Sequence, residues 1–491
     1  MNSAWLLFPV LFPILAGAAE LVFHFKSRRA REVYVAAAVL VNAAAALVLI
    51  ALAPEAPFVF LRFDNKMELA LRVDGLSLVF GAMVSVLWPI STFYSFEYMK
   101  HEGRENKFFG WFTMSFGVVM GIAFSANLLT LYLFYELLTL ATLPLVMHSM
   151  DEKALYAGKK YLLYSMSGAA FVFIGMVMIL RYGTSLDFAM GGVLPAARIA
   201  GSENLLRLGY VLAFLGFGVK AAVFPLHGWL PAASVAPTPV SALLHAVAVV
   251  KAGVFAIIRL TYYSFGTELL RGSWAQDLVM LFTIVTILFG SSMALRTPHL
   301  KRRLAYSTVS NLSYILFGVT LMTPAGLTGG LLHMVFHAVI KITLFFAAGA
   351  ILYKTHREYV YELEGFGRAM PVTMGAFTLS SLALMGVPPL AGFTSKWSLG
   401  TAAVEAGTPL ALAGAAALIV SALLTALYLM QVVVKAYFPG KGFVRDRVKD
   451  VADPNGLMTV PFFLLMILLL LLSLYPAPLV TLFGWIAGGL I

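Results

Sequence analysis

KAAVFPLHGWLPAASVAPTPVSALLHAVAVVKAG occupies residues 220–253. Lys220 opens this stretch and Lys251 nearly closes it, and both are surrounded by apolar residues. Pro225 follows Lys220 by five positions. Proline removes a backbone donor and opens a helix. In a bilayer, freed carbonyls survive only beside water or protein. A second stretch has the same ingredients: Gly386-Val-Pro388-Pro389-Leu-Ala-Gly392-Phe-Thr394-Ser395-Lys396. Two interrupted apolar segments, each carrying a lysine, predict a membrane protein with broken helices around buried charge.

The composition agrees. Of 491 residues, 61% are apolar and 12% charged, about half the charged share of an ordinary soluble domain. A water-soluble core could not hide that much apolar surface, so lipid is the natural solvent. There is no cysteine, which excludes disulfides, thiolate metal sites and cysteine-ligated iron–sulfur clusters within this chain. The net charge of +11 reads as basic cytoplasmic loops, not as a nucleic-acid surface. The first apolar run, Ala4 to Phe23, is long enough to span, with no small-residue cleavage site before the basic cluster that follows.

A span takes about 20 mostly apolar residues. About 14 such segments run through 3–24, 33–53, 75–96, 108–125, 127–147, 161–181, 208–227, 239–263, 276–295, 303–322, 327–353, 371–393, 409–436 and 457–475, with 477–491 as a short interfacial helix. The expected fold class is therefore an all-α, multi-pass membrane protein. Loops after odd-numbered spans hold 21 Lys and Arg, including Lys26, Arg104, Lys153, Lys301, Arg303, Lys441, Arg445 and Arg447; loops after even-numbered spans hold 7. This bias places odd loops in the cytoplasm and both termini outside.

Six basic residues remain within spans: Lys220, Lys251, Arg259, Lys341, Lys396 and Lys435. Arg259 and Lys435 lie near span ends, where long stems snorkel to the headgroups. Glu20, four residues before His24, reads the same way. Glu136, Lys220, Lys251 and Lys341 are deep. Each deep charge costs at least about 2.5–3.5 kcal/mol on insertion scales. Ion pairs that merely fix packing are the plain alternative, but apolar replacements of buried pairs are often as stable. A row of such charges therefore suggests proton transfer. A lysine whose carboxylate partner can approach or retreat is a proton switch, and Glu136 is the candidate modulator of Lys220, with Lys251 downstream. His333, His337 and Lys341, spaced i, i+4, i+8, form one polar stripe, and histidine relays protons through either ring nitrogen. His245 is a second relay candidate. Core histidines are the bland reading of these residues; metal binding is a rival one, but no carboxylate accompanies the pair. Spans 4–8 and 9–13 read as duplicated units of opposite orientation, since each holds five spans. The expected divisions are 1–107, 108–264, 265–440 and 441–491, the last comprising a cytoplasmic loop and span 14.

The 220–253 segment resembles the signature of proton-conducting antiporter-type subunits, shared by respiratory complex I (its L, M and N subunits), membrane-bound hydrogenases and Mrp-type cation/proton antiporters. KRRLAYSTVSNLSYI (301–315), HMVFHAVIKITLFFAAG (333–349) and GVPPLAGFTSKW (386–397) match as well, and the resemblance covers about residues 70–440. It implies 14 helices, inverted repeats over helices 4–8 and 9–13, and breaks in helices 7 and 12. It also implies a proton path through Glu136, Lys220, Lys251, His337, Lys341 and Lys396. Asn311 stands where many members have Gln. NLLTLYLFYELLTLATLPLVMHS (127–149) and AGKKYLLYS (157–165) look closer to the Mrp D-type and hydrogenase-linked members than to complex I. The resemblance further implies partner subunits in a bacterial or archaeal membrane. Competing readings are a complex I proton-pumping subunit coupled to quinone reduction, a self-contained Na⁺/H⁺ antiporter, and a structural scaffold. No Asp lies deep in any span, which speaks against the self-contained antiporter. No redox chemistry, cofactor or metal is expected in this chain, and no Gly-rich phosphate loop appears. Energy would come from an ion gradient or a partner.

Overall fold

In hydrocarbon a backbone N–H has no water to bond, so a spanning segment must satisfy its own amides and becomes a helix. Each of the apolar stretches is indeed helical. The computed structural model describes residues 2–23, 25–54, 56–64, 66–440, 443 and 448–490; His24, Lys441, Arg445 and Arg447 lie outside the described residues. The amino-terminal part comprises α1 (Phe8–Val22), α2 (Arg28–Leu52), β1 (Phe58–Asp64), β2 (Met67–Leu71) and α3 (Gly75–Tyr98). Then come α4 (Glu105–Ala123), α5 (Leu128–Val146), α6 (Glu152–Tyr182), α7 (Ala196–Ile199), α8 (Glu203–Lys220), α9 (Trp229–Ala232), α10 (Thr238–Ala246), α11 (Val249–Ile258) and α12 (Thr267–Leu270). The rest is α13 (Trp274–Arg296), α14 (Leu300–Thr320), α15 (Pro324–Thr355), α16 (Phe366–Ala369), α17 (Pro371–Met385), α18 (Ala391–Ala406), α19 (Pro409–Tyr437), α20 (Gly456–Leu474) and α21 (Ala477–Gly488).

Among the described residues, ten helices are long and apolar enough to cross a membrane. The other four expected spans are α4, α14 and the two interrupted segments, α8 with α9 and α17 with α18. Span 12 runs further than expected: α18 carries it to Ala406, so Lys396 lies within the second half-helix. Span 8 is also broken, between α10 and α11, and continues beyond Ile258 as a π-helical turn, Arg259–Phe265. No proline marks the break at Val247 and Ala248, and the all-helical pattern of 239–263 gave no sign of it.

The expectation of an all-helical chain needs one small correction. β1 and β2 form an antiparallel hairpin, with Phe58 opposite Leu71 and Arg62 opposite Glu68. It is fastened to the α4–α5 junction: the Ala126 N–H donates to the Ala70 carbonyl at 3.0 Å, and the Arg72 N–H to that of Phe124 at 2.7 Å. The hairpin thus closes the loop between spans 2 and 3 over the end of the bundle.

The core is organised around α15, which is buried along most of its length and packs against α3, α10, α14, α17, α18, α20 and α21. Elsewhere small residues let backbones approach, as is usual in membranes. A Cβ at Gly117 of α4 would lie 2.3 Å from the Val10 carbonyl of α1, so any larger residue there separates the two helices.

Two expected snorkelling residues do not snorkel. Glu20 is buried. Arg259 is wholly buried and holds Asp74, the N-cap of α3, with both nitrogens: Nη1 donates to Oδ2 at 2.6 Å and Nη2 to Oδ1 at 2.7 Å. Tyr263 and Phe188 present ring faces 4.5 and 4.9 Å from the guanidinium. A bidentate carboxylate within reach outcompetes the headgroups for a planar guanidinium. Lys301 and Arg303, counted as loop charges, are also buried, in the first turn of α14, where they donate to the carbonyls of Ala236 and Tyr428 at 2.7 and 2.8 Å.

Burial pushes the Asp74 carboxyl up, but Arg259, helped by the Ser77 N–H and Arg72, outweighs it and holds the group below the usual range. A carboxylate held low in the folded state stabilises the fold above its unfolded pKa of about 3.9, and that contribution is lost as pH falls through the folded value. Asp74→Asn should therefore cost about 3 kcal/mol at neutral pH, a fall of a few degrees in Tm for a chain of this size, and the difference from the parent should narrow in strong acid. A double-mutant cycle with Arg259→Gln checks it; purely additive losses would show that the two residues are not coupled.

Candidate functional site

The interrupted helices place the lysines. α8 ends on Lys220, and the chain turns through Ala221–Gly228 before α9. The break is satisfied by protein: Phe224 N–H donates to Thr286 Oγ1 at 2.9 Å, and Trp229 Nε1–H to the Val219 carbonyl at 2.6 Å. Gly253 of α11 packs directly on this turn, where a Cβ would meet the Ala221 nitrogen at 2.5 Å. Lys220 itself is fully buried. Its Nζ donates to the Tyr135 carbonyl on α5, sits 3.3 Å from the centre of the Tyr135 ring, and lies 3.8 Å from Glu136 Oε1. Glu136 is less enclosed: its side chain is 28% exposed, and Oε1 has no hydrogen-bond partner among the described residues.

A second cluster surrounds α15. Lys251 Nζ lies 2.9 Å from His337 Nδ1, with both residues fully buried. One turn along, the His333 ring is 5.8 Å from that of His337. His333 Nδ1 faces Ser395 Oγ at 2.9 Å, and Nε2 faces Asn311 Oδ1 at 3.2 Å. Lys341, at the other end of the stripe, donates to the Leu304 carbonyl at 3.0 Å. Lys396 donates to the carbonyls of Leu384 and Met385 at 2.6 and 3.2 Å. Those are the last carbonyls of α17, which its broken end leaves free. The Lys396 ammonium is 5.3 Å from the Tyr314 ring, which lies 5.2 Å from His333. On its other side Lys396 borders a cavity of about 520 Å³ with Trp397, Phe393 and Glu405.

The hydrogen bonds assign the tautomers. Asn311 Nδ2 donates to the Ser307 carbonyl at 2.7 Å, so its Oδ1 is turned to His333. Oδ1 can only accept; His333 Nε2 therefore carries a proton. Neutral His333 accepts at Nδ1 from the Ser395 hydroxyl. Protonated His333 donates there instead, and Ser395 can turn its hydroxyl to the Gly392 carbonyl at 3.3 Å. The ring is satisfied in both states. In the Lys251–His337 contact a proton between Nζ and Nδ1 belongs to either without movement of heavy atoms, while His337 Nε2 has no hydrogen-bond partner among the described residues. The site can thus accept, hold and pass a proton.

Of the expected residues, the structure joins Glu136 with Lys220, and Lys251 with His337. It places His333 and Lys396 around Tyr314. Lys341 shares the α15 stripe. His245 joins neither group: it stacks on Phe345 at 4.7 Å, and neither ring nitrogen has a hydrogen-bond partner among the described residues. Likewise, no hydrogen bond among the described residues links the Lys220 pair to Lys251. The sequence does not single out Asn311, Tyr314, Ser395 or Tyr135 as neighbours of these side chains. Asn311 and Ser395 are polar residues on otherwise buried helix faces, which is a signal, but nothing in a single sequence says that they converge on one imidazole.

The family model for the NADH:quinone oxidoreductase/Mrp antiporter transmembrane region matches residues 125–425, and that for the chain 5 N-terminus of NADH-ubiquinone oxidoreductase (complex I) matches residues 61–109. NADH-quinone oxidoreductase subunit N of Desulforudis audaxviator is 36% identical over 69% of this chain, and a Na⁺/H⁺ antiporter subunit of Alkalihalophilus pseudofirmus is 34% identical over 68%. The matches cover 66% and 43% of those relatives' own lengths. A chain in the Mrp complex from Dietzia sp. DQ12-45-1b has the same fold, with a TM-score of 0.85, 24% identity, and coverage of 100% of this chain and 98% of that one.

Replacing Asn311 with Leu strips His333 Nε2 of its acceptor. A buried donor left unmade costs about 1–3 kcal/mol, so proton transfer through His333 should slow by about tenfold, and Asn311→Gln should restore most of it. Transport rates in reconstituted membranes, with the pH profile of each variant, check this. Equal rates for the parent and the Leu variant would remove Asn311 from the path.

Proposed function

We infer the function from one premise: this chain belongs to the NADH:quinone oxidoreductase/Mrp antiporter transmembrane family. Its role is to carry protons across a bacterial or archaeal membrane as one subunit of a multi-subunit complex. The observation that carries this reading is that Lys220, Lys251, His337 and Lys341 are wholly buried, and that among the described residues a single carboxylate, Glu136, comes within ion-pair range of any of the three lysines. A scaffold gains nothing from uncompensated buried cations; a conductor requires them.

Glu136 and Lys220 form the first station, Lys251, His337 and His333 the second, and Lys396 the last, with Lys341 and His245 beside the second. The Glu136–Lys220 distance of 3.8 Å is slack enough for the carboxylate to close or withdraw, and its movement sets the proton affinity of Lys220. Passage from Lys220 to Lys251 crosses the packing of α8 on α11, and water is the carrier such a gap calls for. Each proton driven through the field is worth about 2.3 kcal/mol per 100 mV. That energy enters from partner subunits or from exchange against a second cation such as Na⁺.

The path follows two repeats, residues 108–264 and 265–440, flanked by 1–107 and 441–491. In support, the fourth span of each repeat is interrupted, and each interruption carries a lysine, Lys220 before the break and Lys396 after it. Odd-numbered loops face the cytoplasm and both termini face outward, on the strength of the loop charges.

Two measurements test these statements. A change of about 1.4 kcal/mol in ion-pair energy is tenfold in proton affinity, so Glu136→Gln should slow proton movement by about tenfold or more in inside-out vesicles holding the assembled complex, with unchanged subunit content. Undiminished pumping would reject the switch. Because the chain has no cysteine, Ser149→Cys should react with an impermeant thiol reagent from the cytoplasmic side alone, and Ala200→Cys from the opposite side alone. The reverse pattern would invert the topology.

A further inference from the structure

At the end of the bundle where α1 finishes and α2 and α4 begin, a cavity of about 460 Å³ is lined by Lys26, Arg28, Arg31, Arg104, Glu105 and Lys107. With Gly103 and Asn106, eight residues line it, and five of them are basic. Glu105 neutralises part of the charge: it accepts from Arg28 Nη2 at 2.5 Å and is in contact with Arg31. Arg31 Nη1 also donates to Asn106 Oδ1 at 2.9 Å. Among the described residues, Lys26 and Lys107 have no carboxylate partner.

The backbone adds to the positive field. α2 starts at Arg28 and α4 at Glu105, both residues of the cavity wall. Neither helix has a side-chain cap, since Ser27 and Arg104 make no capping hydrogen bond. Two helix N-termini, each with free first-turn N–H groups and a positive dipole end, therefore border the same space. Such a site is built for an anion rich in oxygen acceptors.

The surroundings decide which kind of anion. Phe23, at the end of α1, is 71% exposed, and Val33, in the second turn of α2, is 62% exposed. Phe23 comes three residues before Lys26, and Val33 two residues after Arg31. A free ion has no use for apolar neighbours, whereas an amphiphile uses both. We propose that this cavity binds the phosphodiester headgroup of an anionic phospholipid, held by Lys26, Arg28 and Lys107 at the ends of α2 and α4, with its acyl chains along Phe23 and Val33. The lipid sits away from Lys220, Lys251 and Lys396 and secures the amino-terminal helices to the bilayer.

The test uses the purified full chain in neutral detergent, with mixed micelles of phosphatidylglycerol or phosphatidylcholine, or with inorganic phosphate alone. Phosphatidylglycerol should raise Tm and be retained in native mass spectra; phosphatidylcholine and phosphate should do neither. Each basic residue near an anionic lipid contributes about fivefold in affinity, so the triple variant Lys26→Gln, Arg28→Gln, Lys107→Gln should bind phosphatidylglycerol about a hundredfold more weakly. The control pair Lys153→Gln, Lys159→Gln, two exposed lysines near the start of α6, should bind it like the parent. If the triple variant does not fold, Lys107→Gln alone should weaken binding about fivefold, and added salt should do so in the parent. Parent-like binding by the triple variant, or by Lys107→Gln where that variant stands in, overturns the proposal. So does an equal loss in the control pair, which would mark diffuse surface charge, or a matching response to phosphate alone, which would mark a free-anion site.

Discussion

An ammonium group in hydrocarbon has no water to fall back on, so it needs an acceptor supplied by protein, and the structure is arranged to supply one each time. Lys220 sits on the Tyr135 carbonyl, Lys341 on that of Leu304, Lys301 on that of Ala236, and Lys396 on those of Leu384 and Met385. Main-chain carbonyls inside a continuous helix are already engaged. Breaking a helix releases some, and α17 ends where its final carbonyls can hold Lys396. The interruption thus keeps Lys396 at depth, whereas Lys220 and Lys341 share carbonyls of the continuous helices α5 and α14.

Acceptor type then separates the lysines by what they can do. A carbonyl holds a protonated amine but cannot take its proton. Lys251 is different, because its partner is a ring nitrogen that can. Lys220 is different as well, because a carboxylate stands 3.8 Å away in addition to the carbonyl. Proton exchange is therefore chemically available at Lys220 and Lys251 within this chain, whereas Lys341 and Lys301 are held by carbonyls alone. Lys396 is intermediate: carbonyls hold it, but it borders a cavity shared with Glu405.

Depth was legible in the sequence, and direction around the helix axis was not. Runs of about 20 apolar residues located the spans, and Lys220, Lys251 and Lys341 stood out because charge is costly there. The i, i+4, i+8 stripe was legible too, since helical periodicity is local. Nearness to a span end does not reveal the burial of Glu20, nor a partner for Arg259 on another helix; Asp74 is 185 residues from Arg259. Lys301 and Arg303 were misjudged for the same reason, as basic residues after a span look like loop charges until Ala236 and Tyr428 are seen beside them. The β1–β2 hairpin escaped because its strands are short and lie in a connection read only for its charges. The break between α10 and α11 contains no proline or glycine to announce it.

A buried polar network that must change charge faces a stricter condition than one that need only be stable. Every member has to be satisfied before and after the proton moves, since a half-satisfied network is costlier than an apolar core. His333 meets the condition through Asn311 and a Ser395 hydroxyl that can turn toward Gly392. The Lys251–His337 contact meets it at Nζ and Nδ1 alone, by sharing one proton. Glu136 Oε1, His337 Nε2 and both nitrogens of His245 do not meet it, being buried without a hydrogen-bond partner among the described residues. These unsatisfied atoms lie on or beside the proposed stations. On the proposed path, a movement of Glu136 or an arriving proton carrier would relieve their desolvation cost.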